Sequence, residues 1–282
     1  MKIQFMSLGS GSSGNCYFLG TKAHGLFIDA GIGIRNIQKI AKNYGIKMEH
    51  IRGVLVTHDH ADHIKAVGHL AEKFNIPVYA TREVHEGLDR NYGMTKKLSD
   101  AHKRFIRKEE TIQIADFTIT CFDVPHDATD NCGFYIETGG KVFSFITDIG
   151  HITEEVAQYI QRTNYLIIEA NYDEAMLQTG PYPIRLKERI ASPNGHMCNR
   201  EMANYLACHF PPGLQHVWLC HLSKDNNRPD IALQTVVNAF QKQGITVGQD
   251  VKVTPLQRTL PSDMFSFETE EQDGTRLMMA FP

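Results

Sequence analysis

Short runs of consecutive apolar residues dominate the chain, and clean two-residue alternation is rare. Residues 3–6, 16–19 and 26–29 read as three strands, the first two separated by the small-residue loop Gly9-Ser10-Gly11-Ser12-Ser13-Gly14-Asn15. Residues 34–44 carry helical spacing and stop at Gly45, a suitable helix end. The run 53–57 (Gly53-Val54-Leu55-Val56-Thr57) has strand length and no polar face, so it is expected to be buried on both sides. A helix over 64–74 and a strand over 76–80 complete a β-α-β unit. An irregular basic stretch is expected over 82–110, then strands over 111–122, 133–138 and 141–147. The rest of the pattern gives a helix at 154–162, strands at 165–169 and 217–220, and helices at 200–208 and 229–243. Residues 262–282 are acidic and weakly patterned and are expected to form a partly loose tail after a domain spanning 1–261. No fixed-period repeat and no Pro/Ser-rich linker divides the chain, so one two-layered α/β domain is the simplest architecture.

Composition narrows the class. The 282 residues are 42% hydrophobic and 22% charged, ordinary for a globular protein, and the formal net charge of −3 excludes a chain-wide basic footprint. No apolar run approaches a membrane span. The first residues read as a strand rather than a leader, and the six scattered cysteines form no C-x-x-C pair, so a reduced, cytoplasmic protein is expected. The loop over 9–16 matches no nucleotide fingerprint. Its glycines fit a tight turn at least as well as an anion nest, and no nucleotide cofactor is expected.

The fourteen histidines matter through their positions. His58, His60, Asp62 and His63 stand in an H-x-H-x-D-H pattern directly after the buried run 53–57, on the kind of loop where α/β folds place their sites. Imidazole and carboxylate donors suit zinc, and also manganese and iron. The spacing lets His58 and His60 face one ion and Asp62 and His63 another. Three more donors, His126, Asp148 and His221, each follow an apolar run of strand length, which brings side chains to one edge of a sheet.

With these residues in view, the chain resembles the metallo-β-lactamase superfamily over roughly residues 1–240. The resemblance rests on Asp29 in Phe27-Ile28-Asp29-Ala30-Gly31, on 57–63, on His126, on Thr147-Asp148 and on His221. It implies a four-layer αββα sandwich and a dinuclear centre. His58, His60 and His126 would bind one metal, Asp62, His63 and His221 the other, Asp148 would bridge them, and Asp29 would be structural. His63 favours the phosphodiesterase and nuclease branches over the lactam-cleaving one. The segments 8–16, 125–129, 169–173, 195–199 and 221–227 are similar to the YycJ/WalJ-type group of single-domain exonucleases. The chain departs from that group at Tyr172, where histidine is expected, and at Cys198, where serine is usual. The long insertion of the β-CASP nucleases is absent.

The implied function is a phosphodiesterase, above all a DNA exonuclease, in which a hydroxide bridging two divalent metals attacks phosphorus. Zinc is the expected metal, with manganese and iron as alternatives. Asp62 and His196 are the candidate catalytic residues. His196 precedes a helix, and a similarly placed histidine in tRNase Z and phosphodiesterase relatives acts near the scissile phosphate. Seven cations between Arg90 and Lys108, with Tyr92 and Phe105 among them, and a second cluster at Arg185, Lys187 and Arg189, could track a nucleic-acid backbone or form a solvated face. The alternative function on the same fold is a small-molecule hydrolase: a cyclic phosphodiesterase, lactonase or thioesterase.

Overall fold

The computed structural model describes residues 1–268. Among these residues, fourteen strands form two seven-stranded sheets that pack face to face, with helices on both outer surfaces. The result is an αββα sandwich.

The first sheet is built from β1 (Lys2–Gly9), β2 (Cys16–Gly20), β3 (Gly25–Ile28), β4 (Ile51–Leu55), β5 (Val78–Ala80) and β6 (Lys103–Phe105), with β14 (Phe265–Glu268) added antiparallel to β1. Its spatial order is β14-β1-β2-β3-β4-β5-β6. The second runs β13-β12-β11-β10-β9-β8-β7. Here β7 (Thr111–Ile114), β8 (Phe117–Asp123), β9 (Cys132–Thr138) and β10 (Lys141–Ile146) form an antiparallel meander. β11 (Tyr165–Glu169), β12 (His216–Cys220) and β13 (Lys252–Pro255) extend it in parallel.

Burial on both sides explains the apolar runs. In β1, Ile3 and Phe5 face the opposite sheet, whereas Met6 and Leu8 face the helices. In β11, Tyr165 and Ile167 point between the sheets, and Leu166 and Ile168 point to the helices behind. Both faces are apolar, so the period of two leaves no polar trace. Phe5, Phe145 and Trp218 join across the inter-sheet core, with Phe5 and Trp218 centroids 4.5 Å apart.

Six helices cover the outer faces along the lines expected: α1 (Ile34–Asn43), α3 (Val67–Phe74), α5 (Glu154–Gln161), α8 (Asn199–Cys208) and α9 (Pro229–Lys242), with α2 (Ala61–Ile64) beginning inside the histidine run. The single helix expected over 64–74 is thus two, separated at Lys65 and Ala66. The stretch expected to be irregular holds α4 (Arg82–Arg90), capped by the Thr81 hydroxyl, which accepts from Val84 N. Its buried face is Val84, His85, Gly87 and Leu88, too polar a set to show helical periodicity. The strand expected over 111–122 folds into the β7–β8 hairpin at Ala115, whose φ of 50° turns the chain. α6 (Glu174–Thr179), α7 (Ile184–Ile190), β13 and β14 have no counterpart among the elements expected from the sequence. β14 lies beyond the boundary expected at 261, and the remainder of the loose-tail expectation lies outside the described residues.

All six cysteines are free thiols. No helix among the described residues is long and apolar enough to cross a membrane.

Candidate metal centre

The ends of β4, β8, β10, β11 and β12 open onto one edge of the sandwich. His58, His60, Asp62 and His63 follow β4, His126 follows β8, Asp148 follows β10, Glu169 ends β11 and His221 follows β12. The seven candidate ligands and His196 converge there. Donor atoms of His58, His60 and His126 lie within 4.8 Å of one another. So do those of Asp62, His63 and His221, and those of His58, His63 and Asp148. Asp148 stands between the groups: Oδ2 is 3.6 Å from His126 Nε2 and 3.4 Å from His221 Nδ1, and Oδ1 is 3.3 Å from His63 Nε2.

Hydrogen bonds on the far side of each ring fix the nitrogen it presents. His63 Nδ1 donates to Asp29 Oδ2 at 2.7 Å, and His126 Nδ1 donates to Gly195 O at 2.8 Å. His221 Nδ1 donates to Glu169 Oε1 at 2.7 Å. The Thr57 hydroxyl donates to Asp29 Oδ2 at 2.9 Å, so its oxygen accepts from His58 Nδ1, also at 2.9 Å. All four rings therefore offer Nε2 to the interior, as oriented metal-ligating histidines do. His60 differs: its Nδ1 faces His126 Nε2 at 3.4 Å. Asp29 takes a left-handed backbone, φ 55°, that lets its carboxylate also accept from Thr57 N at 2.8 Å. It contributes to none of the donor groups and braces the loop that does.

The sequence places Glu169 at the end of a strand and in the 169–173 segment of the resemblance, without giving it a role. Fully buried, it accepts from His196 Nδ1, His221 Nδ1 and Asn171 Nδ2 through Oε1, and from Ile149 N and Met197 N through Oε2. Asn15, which the sequence places in the small-residue loop of the 8–16 segment without giving it a role, also reaches the centre. Its Nδ2 lies 2.9 Å from His63 Nε2 and 3.3 Å from Asp62 Oδ2. Within the loop carrying it Gly14 N donates to Gly11 O, while Asn15 N donates to Asp62 O, Ser10 N to the carbonyls of Gln257 and Arg258, and the Ser10 hydroxyl accepts from His221 N. The turn reading of this loop fits the structure, and the turn supports the donors Asp62, His63 and His221.

The electrostatics fit cations. Burial pushes the Asp148 carboxyl up, but the neighbouring His221 and His63 outweigh it and hold the group well below the usual carboxylate range. Burial likewise pushes Asp62 up, and His63 and His221 bring it below its ordinary value. Burial disfavours a charged His63, yet Asp148 and Asp29 draw it well above the usual histidine value. His58 is driven well down by burial and by the charge of His63. Its Nε2, like Asp148 Oδ1, is a buried atom without a hydrogen bond. Such atoms cost roughly 1–3 kcal/mol each unless something satisfies them. A lone pair on nitrogen and a carboxylate oxygen, both aimed into a ring of donors, suit a divalent ion. The residues present therefore fit a metal centre.

A family model described as a β-lactamase superfamily domain matches residues 24–222. The chain belongs to the metallo-β-lactamase superfamily. Within that superfamily it is 30% identical over 262 residues to exodeoxyribonuclease YycJ of Bacillus anthracis, covering 93% of this chain and 98% of the relative. It is 32% identical over 251 residues to exodeoxyribonuclease WalJ of Streptococcus pneumoniae, covering 89% and 93%. The metallo-β-lactamase fold protein YhfI of Bacillus subtilis superposes with TM-score 0.68 at 17% identity, covering 93% of this chain and 99% of its own. Unliganded yeast PDE1 gives 0.67 at 11% identity, covering 93% and 99%. These structures share the fold.

The two departures from the YycJ/WalJ pattern are neighbours. Tyr172 and Cys198 pair in an isolated bridge and are buried together with Leu177 and Ile190. They line a hydrophobic cluster rather than the donor groups.

The basic stretches form no continuous positive track. Lys96 pairs with Glu72 at 2.8 Å, Lys103 with Asp89 and Asp100 at 2.9 Å each, and Lys108 with Asp123 and Asp130. Lys97 and Arg104 donate to backbone carbonyls. Arg189 pairs with Asp127, whose Oδ1 lies 3.5 Å from His126 Nε2, so this cation reaches the rim of the centre.

Proposed function

We propose that the chain is a dinuclear metal-dependent phosphodiesterase acting as an exodeoxyribonuclease. The reading is carried by two donor groups, one of His58, His60 and His126 and one of Asp62, His63 and His221, with Asp148 lying against members of both. His58, His60 and His126 would hold one ion, Asp62, His63 and His221 the other, and Asp148 would face both. Zinc suits this set of imidazole and carboxylate donors, and manganese or iron would be accepted by the same atoms. Two such ions, when bound, supply a water acidic enough to attack phosphorus and a positive clamp for the phosphate oxygens.

The chain's own residues supply the rest. Asp62, deprotonated and 23% exposed, faces the opening beside His221 Nε2, 3.4 Å away. His196 lies at the rim, 19% exposed, with its ring 4.9 Å from that of His126. Burial pushes His196 down, but Glu169 outweighs this and raises its affinity for a proton. Nδ1 is committed to Glu169, so Nε2 carries the proton that a leaving oxygen would take. The deoxyribonuclease names of the relatives support DNA as the polymer, and six free thiols suit a reducing cytoplasm.

The test is a hydrolysis panel with the purified chain loaded with Zn²⁺ or Mn²⁺. Progressive shortening of DNA from an end is expected. Cleavage of small esters with no shortening of DNA would sink the proposal and favour a small-molecule hydrolase.

A further inference from the structure

On the surface, at Thr129 and Asp130 just past His126 in the chain, a groove of about 830 Å³ opens. One side is the edge strand β6 and the residues that follow it, and the other is the start of α4 with Thr129 and Asp130. Asp59, the residue between His58 and His60, accepts from the Thr129 hydroxyl at 2.6 Å and from Thr129 N at 3.2 Å. The groove wall is therefore fastened to the loop that carries donors of the first group.

Phe105 projects into this groove with 54% of its surface exposed. Ile106 beside it is buried, so the extended backbone turns Phe105 and Arg107 outward on either side of it, about 7 Å apart along the chain. The Arg82 guanidinium lies 5.0 Å from the Phe105 ring centre, and His85 meets the ring edge-on at 5.0 Å. Arg82 and Arg107 form no ion pair among the described residues, whereas the Lys108 ammonium is held by Asp123 and Asp130. Glu83 and Glu110 also line the groove, so it carries no general positive field that would gather small anions. It offers an exposed aromatic ring with the Arg82 guanidinium over one face and the exposed Arg107 two residues along the chain. That chemistry matches a nucleotide within a strand, which presents a flat base and a phosphate at short separation.

We propose that this groove holds a nucleotide of the single-stranded DNA under digestion, its base stacked on Phe105 and its phosphate against Arg107 and Arg82. The inference rests on the exodeoxyribonuclease reading and extends it from the scissile bond to the strand beyond. It also gives Asp59 a positioning role, because through Thr129 it keeps the strand-holding wall in fixed relation to His58 and His60.

The experiment uses the metal-loaded full chain with two substrates, a short oligodeoxythymidylate and bis(p-nitrophenyl) phosphate, a diester that carries no neighbouring nucleotide. Phe105→Ala is expected to raise KM for the oligonucleotide roughly tenfold, the loss of one stacked base, with the small diester hydrolysed as before. Phe105→Trp is expected to restore binding. Arg107→Ala is expected to lower the slope of log affinity against log salt by about one unit. Unchanged KM and salt slope in both alanine variants would overturn the subsite while leaving the exodeoxyribonuclease reading intact. An equal loss on both substrates with a lowered melting temperature would overturn it too, by making Phe105 a structural residue. A wild-type chain that cleaves the diester and leaves the oligonucleotide whole would overturn the parent reading instead.

Discussion

Nδ1 of His196 lies 2.8 Å from Oε1 of Glu169, and this contact decides which nitrogen of the ring faces outward. The carboxylate also stabilises the protonated ring, which keeps His196 charged at a higher pH than an ordinary histidine. If the protonated ring is the working acid, activity persists up to that raised value and falls as pH rises through it. Glu169→Gln keeps the shape and removes the charge. The alkaline limb of the kcat profile is then expected to move to lower pH, with kcat reduced roughly 10–100-fold. Metal content, measured in parallel, separates this effect from the support Glu169 gives His221. An unmoved pH profile would remove His196 from the mechanism.

Asp148 faces both donor groups, whereas His60 belongs to one. Elemental analysis of the purified chain is expected to find two ions, fewer than two in His60→Ala, and the largest loss in Asp148→Asn. Chelation should lower the melting temperature by several degrees, because the ions bind the folded chain and not the unfolded one. A wild-type chain that never holds more than one ion contradicts the dinuclear assignment.

Gly31 fixes the approach of two loops. A Cβ there would stand 1.6 Å from the carbonyl oxygen of Asp62, which also accepts from Asn15 N. Gly31→Ala must push the 57–63 loop away and is expected to cost on the order of 2–4 kcal/mol in chemical denaturation. The group Asp62, His63 and His221 should lose its ion first. Wild-type stability in this variant would show that the loop yields without strain.

His216 gives a pH dependence away from the metal centre. It stacks on Trp218 at 3.9 Å, its Nε2 lies 2.8 Å from the Thr254 hydroxyl, and burial, helped by Lys252, pushes its pKa down to about 4. The unfolded ring takes its proton near pH 6.5, and the folded ring resists until about pH 4. Its contribution is thus intact above the unfolded value and is lost as pH falls toward the folded one. At pH 5 the loss is on the order of 1–2 kcal/mol. The stability gap between wild type and His216→Phe should therefore change in favour of the variant between pH 7 and pH 5. Parallel stability curves would show that the ring protonates without penalty.

The main sheets and the convergence of the candidate donors were legible because one rule served both. Apolar runs of strand length marked doubly buried strands, and a polar residue after such a run marked the common edge. The same rule pointed at Glu169, which ends the apolar run 165–169, but a carboxylate there also fits a simple strand end. α4 was hidden because half of its buried face is His85 and Gly87. β13 and β14 are short, half-exposed edge strands whose pairing comes from distant β12 and β1, information no local window holds. The cations of 90–108 read as one basic run because their acidic partners, Glu72, Asp89, Asp123 and Asp130, mostly lie on other segments.

The donor groups draw on both halves of the chain. His58, His60, Asp62 and His63 come from the first sheet, and His126, Asp148 and His221 from the second. Each of the two sets proposed above spans both halves, so on that reading hydrolytic competence arrives only with the docking of the two sheets, a long-range step. On that reading, a chain still emerging from the ribosome, or one cut between its halves, is expected to be inert. For a protein read as a destroyer of DNA, the order of folding is itself a safety catch.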